Sequence, residues 1–149
     1  VKTGIHLAIA AAAVSLSACA VAQPRPPAHP AYLHALSDLR YARALLERPD
    51  NPAVVNDEQH AVGEIDAAIG EIKHAAYDDG KDLRDHPPVD ARVAYTDRFH
   101  QSLQLLGKAR QDIEHEEDNP YNQGLQGRVV FHIDEAARAV HHAIGDALR

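Results

Sequence analysis

Apolar residues recur at three- and four-residue spacing in four separate stretches of the chain, the period of an amphipathic helix with one buried face. Tyr32, Leu36, Leu39, Ala42 and Leu46 mark the first, over about 31–47. Val62, Ile65, Ile69, Ile72 and Ala76 mark the second, which Asn51-Pro52 opens. Asn is a good N-cap, and Pro suits the first helical position, where no amide donor is needed. The third carries Tyr95, Phe99, Leu103, Leu106, Ala109 and Ile113, with Asp90 placed to cap it. The fourth follows Asn119-Pro120, is loosened at Gly124 and Gly127, and carries Val129, Val130, Ile133, Ala137, Val140 and Ile144.

The last two stripes repeat the first two. Leu36, Leu39, Ala42, Arg43 and Glu47 return 67 residues later as Leu103, Leu106, Ala109, Arg110 and Glu114. One inserted residue shifts the offset to 68, which holds for Asp50-Asn51-Pro52 with Asp118-Asn119-Pro120, Ile65-Asp66 with Ile133-Asp134, and His74-Ala75 with His142-Ala143. A repeat of this length made of two helical patterns is a duplicated helical hairpin. The expected fold is all-α: an up-down-up-down four-helix bundle over 31–149, built of antiparallel hairpins 31–78 and 88–148. A polar connection with Gly80 and Pro87-Pro88 separates them. Ala-rich seams imply close helix approach and a thin core, which disfavours a pocket inside the bundle.

The N-terminus reads as an export signal over 1–22. Lys2 is followed by the apolar run Leu7–Leu16, too short and too near the start for a spanning helix. Leu16-Ser17-Ala18-Cys19 resembles a bacterial lipobox, in which Cys19 becomes the lipidated residue, and Ala20-Val21-Ala22 fits ordinary cleavage before Gln23. The chain begins with Val and holds no Met, which reads as an unprocessed precursor from a non-standard start. Residues 23–30 form a proline-rich tether. Either exit puts the mature domain in the periplasm or cell envelope, and a single Cys allows no internal disulfide. Loss of Lys2 moves the net charge from −7 to −8. An acidic domain without a basic stripe argues against nucleic acid, and against any membrane contact other than a lipid anchor. Scarce aromatics and no Trp argue against an aromatic-lined pocket.

Two sets of residues carry candidate chemistry. Arg43 and Arg110 lie about 40° from their stripe centres, and Asp66 and Asp134 about 100° from theirs. Two pseudo-symmetric Arg–Asp pairs between neighbouring helices would fix register; otherwise the arginines reach solvent and Asp134 pairs with Arg138. Histidine is the other excess, with eleven in the chain. No two on one helix stand three or four residues apart, so no helix chelates alone. Glu71-x-x-His74 has the di-iron spacing, yet His74 lies opposite the apolar stripe. In an up-down-up-down bundle one end would gather His29, His34, His74, His86, His141 and His142 with Asp78, Asp79, Asp82, Asp85 and Asp146. Such a mixed set suits Cu(II), Ni(II) or Zn(II); the alternative is solvated side chains around loop ends. The loop D-D-G-K-D-L-R-D lacks the EF-hand ligand pattern. Ser37 and Ser102 sit in no nucleophile motif, so no catalytic set assembles.

His132-Ile133-Asp134-Glu135-Ala136 and His141-His142-Ala143 resemble the H-[IV]-D-E-A…H-A repeats of the small metal-binding proteins, and Glu64-Ile65-Asp66-Ala67-Ala68…His74-Ala75 is a degraded version. The resemblance covers the second and fourth helices. It implies a periplasmic, His-rich four-helix bundle that binds copper and other divalent metals. Two readings follow: an exported, non-enzymatic bundle that binds or buffers transition metal through its His/Asp-rich end, or an envelope-tethered bundle that contacts another protein and takes no metal.

Overall fold

The computed structural model describes residues 30–48, 51–78, 95–115 and 124–149. They form four α-helices: α1 (Pro30–Leu46), α2 (Val55–Asp78), α3 (Tyr95–Glu114) and α4 (Leu125–Ala147). Asn51 caps a turn ahead of α2: its Oδ1 accepts from the Ala53 amide at 3.1 Å and its carbonyl from Val54 at 3.0 Å. The regular helix therefore starts at Val55, about a turn later than the Asn-Pro pair suggests. Gly124 precedes α4 at φ 76°, a left-handed conformation that glycine enters without a Cβ penalty. Asp90 and Asn119-Pro120 lie outside the described residues.

The four stripes meet in one core. Tyr32, Leu36, Leu39, Ala42 and Leu46 of α1 are all buried, as are Ile65, Ile69 and Ile72 of α2. Phe99, Leu106, Ala109 and Ile113 follow from α3, with Val62 and Leu103 half-buried at the edge. On α4 the buried face is turned slightly from the expected one. Val129, Ile133 and Val140 are buried, but Ala136, Ala139 and Ala143 fill the remaining core positions, while Ala137 and Ile144 sit at its margin. Small side chains there let backbones approach closely. Each buried Leu or Ile contributes about 1.5–3 kcal/mol, so the stripes supply the main drive to fold.

Cross-helix contacts fix the helix directions. Arg43 to Asp66 sets α1 against α2, and Arg110 to Asp134 sets α3 against α4, each hairpin antiparallel. Glu71 to Arg128 and Glu64 to His132 make α2 and α4 antiparallel. Arg98, in the first turn of α3, donates to the carbonyl of Leu45 in the last turn of α1, and Gln101 donates to Tyr41. Hence α1 and α3 are antiparallel too. The major packing seams are α1·α2, α2·α4, α4·α3 and α3·α1, and their macrodipoles oppose one another.

The architecture is thus the expected all-α four-helix bundle of two antiparallel hairpins, with one correction. The helices run up-down-down-up and not up-down-up-down. Asp78 and Tyr95 stand at opposite ends, and the chain between them joins those ends. The physical reason is the way the hairpins meet. Glu64 and His132 are equivalent positions of the repeat, 68 residues apart, and their side chains touch at 2.7 Å. A residue meets its own repeat mate only where a two-fold axis passes between them. The hairpins are therefore related by a pseudo-two-fold perpendicular to the bundle, which crosses α2·α4 at Glu64 and His132 and α1·α3 near Asp38 and Leu105. Such an axis must reverse α3 relative to α1.

Candidate functional site

The bundle has two chemically distinct ends. One gathers the start of α1, the finish of α2, the finish of α3 and the start of α4. The other gathers the finish of α1, the starts of α2 and α3, and the finish of α4. His34 and His74 belong to the first end, and both are exposed. His141, His142 and Asp146 belong to the second. Along the α2·α4 ladder, His142 falls level with about residue 56, so it stands roughly 27 Å from His74 along the axis. The reversal of α3 and α4 is what parts these histidines, because the expected cluster depended on up-down-up-down order. Among the described residues no group of three or more His, Cys, Asp or Glu side chains is disposed to hold a metal ion. His29, His86, Asp82, Asp85, Asp79 and Cys19 lie outside the described residues, as does the side chain of Asp78. Glu71, the partner of His74 in the Glu-x-x-His spacing, instead accepts from Arg128 Nε at 3.0 Å.

The duplicated arginines form the same three-residue network in each half. Arg43 donates through Nε to Asp66 Oδ1 at 2.6 Å and through a terminal nitrogen to Oδ2 at 3.1 Å, and it reaches Glu47 at 2.5 Å. Those hydrogen bonds hold the Arg43 guanidinium above its ordinary pKa. Arg110 donates to Asp134 at 2.9 Å and reaches Glu114 at 2.7 Å. Arg138 pairs with Glu135, leaving Asp134 to Arg110. Both networks tie two helices of one hairpin at a half-exposed surface.

The second end holds a feature that the apolar pattern alone did not single out. Arg98 and Glu58 form a buried ion pair, 2% and 4% exposed. The guanidinium also donates to the Leu45 carbonyl at 3.1 Å and lies 4.7 Å from the Phe99 ring centre. It therefore ties together α1, α2 and α3. Burial pushes the Glu58 carboxyl up to about 7, and burial, then the like charge of Arg48, lowers Arg98. An open cleft of about 330 Å³ between the end of α1 and the start of α2 reaches Glu58, with Leu46, Arg48, Val55 and Gln59 on its walls. The sequence does carry the signal. Glu58 continues the buried series Ala61, Ile65, Ala68 and Ile72 backwards, and Arg98 heads the series Ser102, Leu105 and Ala109, so each charge sits on a core face.

At Glu58's repeat mate, Gln126, the chemistry differs. The Gln126 amide donates to the Ile113 and Glu114 carbonyls at 3.1 Å each, capping the end of α3 from within its own hairpin. The first half has its α1 end capped from the other hairpin by Arg98. The buried pair is thus a departure from the internal symmetry.

No protein-family model, curated protein or solved structure matches this chain. Among the described residues no helix is long and apolar enough to cross a membrane.

Proposed function

We propose that this chain is a non-enzymatic, exported bundle that acts as a structural or protein-interaction module in the cell envelope, held near the membrane by lipid on Cys19. The observation that carries the reading is how its polar groups are used. Arg43 with Asp66, Arg110 with Asp134, Arg98 with Glu58, Arg128 with Glu71 and His132 with Glu64 all join one helix to another. The histidines expected to share an end are divided between two. The lipobox-like Leu16–Cys19 and the proline-rich tether support export and anchoring.

A second reading, an exported bundle that binds divalent transition metal, draws on one specific placement. His34 and His74 fall at about the same level of the α1·α2 seam, nine residues before Arg43 and eight after Asp66. His86, Asp82 and Asp85 follow in the chain beyond α2. The likeness of α2 and α4 to the small metal-binding proteins favours the same reading, with Cu(II), Ni(II) or Zn(II) as cargo.

Thermal denaturation with Cu(II) or Ni(II) in excess separates the two. A ligand bound only by the folded state raises the melting temperature by mass action. The interaction module is expected to show no shift, and its Cys19→Ser form to move from the membrane fraction to the soluble one. A rise that disappears in the His34→Ala, His74→Ala double variant would replace the first reading with the second.

A further inference from the structure

We propose that the open cleft between the end of α1 and the start of α2 binds the ammonium group of a primary aliphatic amine, held by the Glu58 carboxylate and the carbonyls of Leu46 and Glu47. Such a site is independent of export, anchoring and metal. What points to it is the difference between the two halves of the repeat. In the second half Gln126 donates to the carbonyls of Ile113 and Glu114 at 3.1 Å each and so closes the end of α3. The equivalent carbonyls of the first half belong to Leu46 and Glu47, 67 residues earlier, and the equivalent side chain is Glu58, 68 earlier. A carboxylate has no proton to donate. Arg98 takes Oε1 of Glu58 and caps Leu45, one residue short of that pair of carbonyls. The place that an amide fills in one half is an open cleft of about 330 Å³ in the other, with Leu46, Glu47 and Glu58 on its walls.

The groups around that opening define its occupant. Glu58 Oε2 and the two carbonyls are acceptors, so the ligand must bring the donors. A primary ammonium brings three, one for each. Its charge also suits the negative end of the α1 dipole, while Asp57 and Glu58, in the first turn of α2, already answer the positive end of that helix. Glu58 is only 4% exposed, and a charge-assisted bond shielded from water is stronger than one at the surface. Leu46, Val55 and Val62 give the rest of the cleft apolar walls, which suit a short methylene chain.

Charge decides against an anion. An anionic ligand would meet Arg48 on the cleft wall, but also Glu47, Glu58 and the end of α1. The net charge of −7 draws cations towards the molecule as a whole. Arg48 works against a cation, which holds the affinity to the millimolar range and gives the test a second sign.

The test follows backbone amide signals by NMR in the full chain with Cys19→Ser, titrated with butylammonium at about pH 8 and constant ionic strength. Glu58, which burial pushes up to about 7, is ionised there, and the amine, with a pKa near the ~10.4 of lysine, is protonated. Saturable shifts at Leu46, Glu47, Val55 and Gln59 are expected, with a Kd of about 1–10 mM, while Ile113, Glu114 and Gln126 stay still. Tetramethylammonium, which has no N–H, and butyrate should bind about tenfold more weakly or worse. Glu58→Gln supplies the amide of the other half and should weaken butylammonium about tenfold, whereas Arg48→Gln should tighten it about two- to threefold. Shifts that do not saturate, equal shifts in both halves, or an equal response to tetramethylammonium would overturn the site. If Glu58→Gln does not fold, the exposed Arg48→Gln decides, and unchanged or weaker binding there counts against a cation. Blocked lysine, acetylated at its α-amine and amidated at its carboxyl, separates the two sources of the group. Tighter binding than butylammonium assigns the cleft to a lysine side chain of a partner, and weaker binding to a free amine.

Discussion

Arg98 can never shed its charge under ordinary conditions, whereas Glu58 can be protonated, and the two ends of this buried pair are therefore unequal. Removing Glu58 strands a guanidinium in the core; removing Arg98 leaves a carboxyl that escapes by taking up a proton. Breaking a buried pair from one side costs about 3–5 kcal/mol. Glu58→Leu is expected near that range in urea denaturation, Arg98→Met below it, and the double variant close to the parent. Additive losses in the double variant would mean that the residues act separately. The pH dependence has a definite sign. Burial raises Glu58 from the ordinary 4.5 to about 7, so the folded state disfavours its ionised form. That contribution to stability is complete below about pH 4.5 and is lost as pH rises towards 7. Asp38, raised by burial against the opposing charge of Lys108, acts in the same direction from lower pH. Glu58→Gln should flatten the fall in melting temperature across that window. An unchanged slope would assign it to other groups. Both charges sit in register with buried apolar series, so the pair was legible to a reading that asks which charges fall on a core face. A reading of apolar positions alone passes over them.

At the scale of helices, the duplication carries most of the information. A residue kept in both copies is under the same geometric demand twice, which singles out Arg43 with Asp66 and Arg110 with Asp134 before any coordinates. The energetic weight of these networks is small because they are half-exposed. Such pairs contribute about 0–1 kcal/mol and are screened by salt. Arg43→Met and Arg110→Met should each lower the urea midpoint slightly and to a similar extent, with the loss shrinking in high salt. If Arg43→Met is as stable as the parent at low salt, the register role fails. Helix existence and the buried face were legible from period, since a 3.6-residue stripe admits few alternatives. The start of α2 was less so, because the Asn51 cap is used on a turn over Pro52–Val54, one step before the helix proper. The buried face of α4 was read as centred on its larger residues. Packing instead favoured Ala136, Ala139 and Ala143, whose small size suits a close seam.

Direction is the property that stripes do not encode. An amphipathic pattern reads the same whether its helix points up or down, and a join as long as that between Asp78 and Tyr95 permits either. The expected His/Asp end depended on that unencoded choice, and its described members parted when α3 and α4 reversed. Contact across the pseudo-two-fold also determines how the molecule should unfold. Ile65 and Ile133 are repeat mates, both fully buried, and each stands one residue along from the Glu64–His132 contact. Truncating either one to Ala removes core contacts at the place where the hairpins meet and should cost about 2–5 kcal/mol. Were each hairpin an independent unit, Ile65→Ala would split the thermal transition by weakening only the first, and Ile133→Ala only the second. With the larger seams lying between hairpins, neither half keeps its covered face once the other has opened. Both variants should therefore unfold in one transition, shifted to lower temperature, with calorimetric and van't Hoff enthalpies equal. Two resolved transitions in either variant would show that the hairpins fold separately. The same result would remove the dependence of each hairpin on the other for its cover.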